Sequence, residues 1–384
     1  MVTVNRQQAI STVTETTNIK KNISDVIDML SPSDVPMLSR IGYASLKFPC
    51  DQVKHEWMED DLTPSVTTLA AAYTAGSGQM TVASGAGNYF YVDDTLLVGN
   101  NNLRILAISG DVLTVIGGLG DSTDAAAASG ATVRRLGHAA PEGGVSRMDS
   151  RKTNLTAVYN YTQIFKDWCI LTGTMEVISR YGYVSERAYQ EEKAMRRQAI
   201  MMEHAVLYGA MSYDAGPPRR STFGGLKHYI FDAGVAGSWA TVHNAAGSQI
   251  TETLLNNVLQ SIWEVGGMPS LIVVNGFNKR IISSWASPYI RTDRTEGTIG
   301  NQIGTYASEF GTLEIMMDRW LRPSDVLILD PSQIGLGPLN GRAFSSHVVP
   351  SLGDYTQTEV LGEYTMEVHK GSESHGWIYN TSES

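Results

Sequence analysis

Cysteine, basic charge and long apolar runs are all scarce in this chain of 384 residues. The two cysteines, Cys50 and Cys169, lie far apart and give no disulfide framework, which indicates folding in a reducing compartment. No apolar stretch approaches the roughly 20 residues that span a bilayer, and the polar N-terminus lacks the pattern of a secretory signal. We therefore expect a protein that folds in a cytoplasm and has no membrane partner.

Basic residues are outnumbered, with 29 Lys and Arg against 39 Asp and Glu and a net charge of -10. A general nucleic-acid binder needs a basic surface that releases counterions from phosphates, so this class is disfavoured. A weakly repulsive surface that faces DNA remains compatible with the charge. The content of 42% hydrophobic and 18% charged residues is typical of a globular chain, long enough for two or three modules.

Motifs of catalysis and cofactor binding are also missing. The sequence contains no phosphate-binding loop of the Gly-x4-Gly-Lys type, no Gly-x-Ser-x-Gly elbow and no paired zinc-type cysteines. The eight histidines are scattered, and adjacent acids such as Asp60–Asp61 and Glu191–Glu192 diverge on a strand or a helix. We predict no catalytic, cofactor-binding or metal-binding residues.

Three polar residues near the C-terminus, Glu363, Glu367 and His369, are interpreted as solvated strand residues. They alternate with Tyr364, Met366 and Val368, and this alternation predicts a hairpin over "GEYTMEVHKGSESHGWIYN".

The longest helical signal runs from Ser185 to Ala210 without a proline. Ser185 is a suitable N-cap, and Glu192 can pair with Arg196 one turn later. At ~1.5 Å per residue this helix would be about 35–40 Å long, which suggests a strut that lies across a sheet. The predicted apolar stripe consists of Ala188, Met195, Ala199, Met202, Val206 and Gly209.

The rest of the chain predicts a mixed architecture. A short amphipathic helix is expected over 19–30, followed by five short strands between 66 and 137 that form a small β-barrel or sandwich. The flanking segments 44–62 and 142–162 would pair as a long hairpin. After the long helix, a loop is expected over "PPRRSTFGGLKHYI". Helices are then predicted over "SQITETLLNNVLQSIWEVGG" and "FNKRIISSWA", with a buried strand between them over "PSLIVVNG". Two strands around a turn are predicted over "GTLEIMMDRWLRPSDVLILDPSQIGL".

This order of parts, with the strings "NISDVIDMLSPSDVPMLSRIG", "FGGLKHYI", "PSLIVVNGFNKRII" and "LRPSDVLILDPSQIGLGPLNGR", resembles the major capsid proteins of tailed phages. The resemblance implies an α+β fold of the Hong Kong 97 type, in the branch whose extended hairpin (E-loop) carries a β-rich insertion. It further implies the following division: an N-terminal arm with a short helix over 1–43, the first E-loop strand over 44–65, an inserted all-β barrel or sandwich over 66–139, the E-loop return and peripheral-domain strands over 140–182, the peripheral domain with its spine helix 185–210 over 183–239, an axial domain over 240–340, and C-terminal peripheral-domain strands over 341–384.

The function implied by this resemblance is structural and not enzymatic. Such a protein self-assembles into hexamers and pentamers that form an icosahedral or prolate head shell around double-stranded DNA, which it contacts non-specifically. Portal, scaffolding and decoration proteins would be its partners, and the virion its location after assembly in the cytoplasm of a bacterial host. Two alternatives stay open from the residues alone: a phage tail, baseplate or adhesion protein, and a carbohydrate-active enzyme that uses acids such as Glu56 and Asp60.

Overall fold

The computed structural model describes residues 34–42, 45–47, 49–60, 62–139, 142–143, 155–178, 185–237, 239–285 and 304–382. The helix predicted over 19–30 lies outside these residues. The chain divides into two compact units: one comprises Met1–Trp57 with Val158–Ser384, and the second comprises Met58–Ala157.

The described helices are α1 (Pro36–Ile41), α2 (Gly173–Val177), α3 (Glu186–Tyr208), α4 (Ala233–Gly237), α5 (Glu252–Val265), α6 (Gly276–Ser284) and α7 (Gly371–Ser374). Short 3-10 turns cover Ala86–Tyr89 and Pro331–Gln333, and a π-helical segment covers Lys227–Asp232. The described strands are β1 (Lys54–Glu59), β2 (Val66–Thr68), β3 (Gln79–Thr81), β4 (Asp94–Val98), β5 (Asn101–Ser109), β6 (Val112–Ile116), β7 (Thr132–His138), β8 (Thr156–Tyr161), β9 (Gln163–Thr172), β10 (Ser212–Asp214), β11 (Arg220–Thr222), β12 (Val242–Asn244), β13 (Leu271–Val274), β14 (Thr305–Ser308), β15 (Gly311–Met317), β16 (Val326–Leu329), β17 (Ile334–Pro338), β18 (Ser345–Val349), β19 (Tyr355–Val368) and β20 (Gly376–Tyr379).

The unit Met58–Ala157 is built on one antiparallel sheet with the strand order β2-β7-β4-β5-β6-β3. An antiparallel bridge between Leu69 and Val82 links the chain just after β2 to the chain just after β3. Side chains of alternate residues, such as Leu96 and its register partner Leu103, point into one apolar core, as the two-residue period of a strand requires. Each of the five strands predicted here from sequence is present, and β2 is an additional strand.

In the other unit, α3 packs against β9 and β19 of a four-stranded antiparallel sheet, in which β19 pairs with β17, β18 and β9. The helix begins after Ser185, whose hydroxyl accepts from the backbone N–H of Ala188, and Glu192 pairs with Arg196 as predicted.

The predicted apolar stripe of α3 is only partly correct. Met202 and Val206 are buried, but Ala188 is exposed and Met195 is 44% exposed. The buried face consists of Ala194, Gln198, Met202, Glu203, Val206 and Leu207. Two of these residues are polar and one is small, so an apolar pattern could not identify the face.

A six-stranded mixed sheet in the same unit has the order β12-β20-β16-β13-β15-β14. Strand β13 is buried on both faces, and α5 covers the sheet with Leu255, Val258, Leu259 and Ile262. Helix α5 begins at its N-cap Thr251 and ends at Gly266, which adopts a positive φ of 101°. The predicted helices α5 and α6 and the predicted strands β13, β15 and β16 are confirmed.

Two sequence predictions are wrong in this unit. The C-terminal hairpin does not form, because α7 separates β19 from β20 and the two strands belong to different sheets. The segment interpreted as a loop after α3 holds strand β11 and the first part of the π-helical segment Lys227–Asp232, which continues directly into α4 and buries Ile230.

Candidate functional site

Strand β19 carries three buried carboxylates, Glu359, Glu363 and Glu367. The prediction that Glu363 and Glu367 are solvated is wrong, and His369 is also largely covered. The alternation with Tyr364, Met366 and Val368 misled the prediction because β19 is central in its sheet and is covered on both faces.

Glu367 is the centre of a charged cluster that holds the base of the β1 strand. One carboxylate oxygen contacts Nε2 of His55, and the other accepts from Nε2 of His369 and from the backbone N–H of Lys47, both at 3.2 Å. The ring of Trp57 lies 5.7 Å from the ring of His369. These contacts join β1 and the segment before it to β19.

The protonation states of this cluster are complementary. Hydrogen bonds to Cys50 and to Glu367 raise the pKa of His55 to about 9. Burial alone would raise the pKa of Glu367, but hydrogen bonds from His369, His55 and Lys47 outweigh burial and lower this pKa to about 2. At neutral pH the cluster therefore contains a carboxylate and an imidazolium in direct contact.

The neighbouring carboxylate, Glu363, contacts Thr162, the residue between β8 and β9. It accepts from the hydroxyl of Thr162 at 2.6 Å and pairs with Nε of Arg342 at 2.8 Å. The buried Asn160 amide of β8 donates to the backbone carbonyls of Gly224 and Met366. Strands β1 and β8 pair with each other, and the base of each is thus anchored by buried polar contacts.

The face of β9 that points away from α3 is exposed and apolar, and we call it the outer face. Phe165, Cys169 and Leu171 are buried on the side of α3, where Asp167 also pairs with Arg197 of α3. The alternate residues Ile164, Trp168 and Ile170 are 45%, 50% and 60% exposed.

The outer face also carries one ordered ion pair. Lys166 contacts the carboxylate of Glu359 at 2.6 Å, and its ammonium group lies 4.0 Å from the centre of the Trp168 ring. His347 of β18 approaches the same carboxylate at 3.7 Å. A flat apolar sheet face with a fixed charge pair is typical of a protein–protein contact. The sequence signal was present in "QIFKDWCILT", where apolar residues occupy both alternating sets of positions.

The other acids considered from sequence do not converge. Glu56 points outward from β1 and pairs with Lys54, and Glu191 and Glu192 pair with arginines of their own helix, Arg187 and Arg196. Within the described part of the chain, no group of three or more His, Cys, Asp or Glu residues is placed to hold a metal ion. None of the described helices combines the length and the apolar character that a membrane crossing requires.

Comparison with known proteins places the whole chain in one group. Residues 9–382 match the family model described as SU10 major capsid protein. No curated protein matches the sequence.

Solved structures with similar folds cover nearly the full chain. A structure from Microbacterium phage Oxtober96 has a TM-score of 0.52 at 11% identity, covering 97% of this chain and 99% of that one. The capsid of an empty GTA particle gives 0.54 at 8% identity, covering 98% and 100%. The capsid of Cyanophage A-1(L) gives 0.52 at 10% identity, covering 97% and 100%. At these identities the likeness concerns the fold, which is a mixed α/β fold found in phage capsids.

Proposed function

Because this chain belongs to the SU10 major capsid protein family and is a structural protein of a phage capsid shell, we propose that it assembles into hexameric and pentameric capsomers through its outer face and its hairpin. Family membership implies a structural and not an enzymatic role. It disfavours both alternatives that the residues alone left open, a tail or adhesion protein and a carbohydrate-active enzyme.

The outer face is the observation that carries this proposal. Ile164, Trp168 and Ile170 expose apolar side chains on one face of a regular sheet, next to the fixed pair of Lys166 and Glu359. Self-association is the established mode of capsid proteins, so the occupant we propose for this face is a second copy of this chain. These side chains are already about half buried, so covering the rest of each would contribute about half of the roughly 1.5–3 kcal/mol that full burial gives.

The hairpin formed by β1 and β8 supplies exposed apolar groups of its own. Met58 of β1 and Leu155, the residue before β8, are 61% and 63% exposed. We propose that this hairpin is the E-loop and reaches a neighbouring subunit, while the buried contacts of Glu367 and Asn160 fix its base.

The remaining assignments follow from the same resemblance. The N-terminal arm would be formed by residues 1–43 and the inserted barrel by 66–139, and the Leu69–Val82 bridge supports closure of this barrel. The peripheral domain would comprise 183–239, with α3 as its spine helix, and the C-terminal strands of 341–384. The axial domain would comprise 240–340. Segments 44–65 and 140–182 would carry the E-loop strands.

The wider setting is proposed from the family alone. The shell would be an icosahedral or prolate head around double-stranded DNA, contacted non-specifically by a chain whose net charge of -10 disfavours tight binding. Portal, scaffolding and decoration proteins would be its partners, and assembly would take place in the cytoplasm of a bacterial host.

Substitution of the outer face tests the proposal. A double variant, Trp168→Ser with Ile170→Ser, should keep the fold but shift assembled material to free subunits in size-exclusion chromatography and light scattering. Met201→Ser removes a comparably exposed apolar group from α3, outside this face, and should leave the assembled fraction unchanged. If the double variant assembles as well as the unmodified chain, the outer face is not a capsomer contact.

A further inference from the structure

The attachment of α1 to α3 depends on a buried carboxyl group, Glu203, that no cation neutralises among the described residues. Glu203 is completely buried on α3, and its two oxygens accept from the backbone N–H groups of Met37 at 2.8 Å and Leu38 at 3.0 Å. These N–H groups lie in the first turn of α1, where no intrahelical acceptor is available. Glu203 is thus the polar group through which α3 holds the start of α1, in addition to the shared apolar core that buries Met37 and Leu38.

A second buried carboxyl group, that of Asp318, lies against Glu203. It is 1% exposed, and one of its oxygens accepts from the backbone N–H of Trp320 at 2.8 Å. The other oxygen is buried and finds no donor among the described residues. The side chains of Asp318 and Glu203 lie within hydrogen-bonding reach of each other.

The charged groups around this pair are engaged elsewhere. Arg319 pairs with Asp34 at 3.4 Å, and Arg40 of α1 pairs with Glu314 at 2.7 Å, in both cases with exposed side chains. His204 is exposed and packs edge-on against the ring of Trp320.

Two carboxylates in contact inside a protein cannot both be ionised without a large penalty, and one bound proton turns their repulsion into a hydrogen bond. We propose that Glu203 and Asp318 share one proton and that this proton stabilises the attachment of α1 to α3. Loss of the proton would weaken that attachment. The attachment of α1 to the rest of the subunit would therefore depend on pH.

The direction of this sensitivity follows from proton binding. Burial, with a contribution from the neighbouring acid, raises the pKa of Glu203 to about 8, and burial also raises the pKa of Asp318. When α1 detaches and water reaches Glu203, its pKa returns towards the ordinary 4.5. Between these two values the attached state binds one proton more than the detached state, so attachment weakens as pH rises, by up to about tenfold per pH unit, and becomes independent of pH above about 8.

Hydrogen exchange on the full chain measures this attachment. We expect the protection of the peptide covering 34–42, corrected for the chemical exchange rate, to fall by up to about 100-fold between pH 5.5 and 7.5. The peptide covering α5 serves as an internal reference. Asp318→Asn replaces the acidic neighbour by an amide that can donate to Glu203, so the fall in protection of 34–42 between these pH values should be clearly smaller than in the unmodified chain.

Two further variants test whether a different titratable group causes the pH dependence. His204→Gln removes the nearest histidine, and Asp325→Asn alters a comparably buried acid that accepts from Tyr208, and both should retain the pH dependence. Should Asp318→Asn fail to fold, Glu203→Gln replaces it and is also expected to show a smaller pH dependence than the unmodified chain. A flat profile in the unmodified chain, or an unchanged slope in the folded amide variant, would overturn the proposal.

Discussion

Glu367→Gln removes the charge from the centre of the cluster that holds the base of β1 and should lower the free energy of unfolding. The carboxylate is fully buried, and its pKa is lowered from the ordinary 4.5 to about 2. Each pKa unit corresponds to about 1.36 kcal/mol, so the folded state favours the ionised form by roughly 3 kcal/mol. A buried ion pair that loses one partner typically costs about 3–5 kcal/mol, and we expect a loss near 3 kcal/mol because the amide still accepts one hydrogen bond.

The pH dependence of this loss has a defined sign. The contribution of Glu367 is present above pH 4.5 and is lost as pH falls towards 2. The contribution of His55, whose pKa is raised from 6.5 to about 9, is present below 6.5 and is lost as pH rises through 9. The difference between the unmodified chain and the variant should therefore be largest between pH 4.5 and 6.5.

Urea unfolding followed by circular dichroism at pH 5.5 and at pH 9 measures both effects. Glu192→Gln is the matched control, since it makes the same chemical change in an exposed pair with Arg196 and should cost only about 0.3–0.5 kcal/mol. The reasoning is refuted if Glu367→Gln costs no more than this control at pH 5.5, or if its cost is the same at both pH values.

Two packing predictions concern α3, and both are checked by thermal unfolding. A Cβ at Gly225 would collide with the backbone carbonyl of Ala205 and with its neighbours, so Gly225→Ala should lower the free energy of unfolding by about 1–3 kcal/mol. Gly276→Ala, at a position with open space, should change it by less than about 0.5 kcal/mol. Equal melting temperatures of the two variants would contradict this. Met202→Ala should cost about 2–5 kcal/mol because Met202 is fully buried, whereas Met201→Ala, on the exposed face, should change little; a similar loss in both would mean that the buried face of α3 is wrongly identified.

Elements with local signals could be predicted from the sequence. Helix α5 has its N-cap at Thr251 and a glycine stop at Gly266, and β13 is a run of four apolar residues between turn residues. In each case the information lies within about 20 neighbouring residues. Five strands of the second unit, β3 to β7, were predictable for the same reason, since alternation and turn residues mark each of them, whereas the three-residue strand β2 was missed.

The buried charges could not be predicted, because their partners are distant in sequence. Glu367 meets His55 across 312 positions, and Glu203 meets Met37 across 166. A strand or helix pattern classes such acids as solvated, and only the tertiary contacts show that they are satisfied in the interior. The separation of β19 from β20 escaped prediction too, since a short helix of four residues sends the chain to another sheet.

The central claim is that this chain works by association with copies of itself, and electron microscopy tests it most directly. The protein would be expressed in bacteria alone and together with its neighbouring phage genes, then imaged in negative stain. We predict regular shells, tubes or capsomer rings in at least one of these preparations. A well-folded monomer under every condition, co-expression included, would contradict the account.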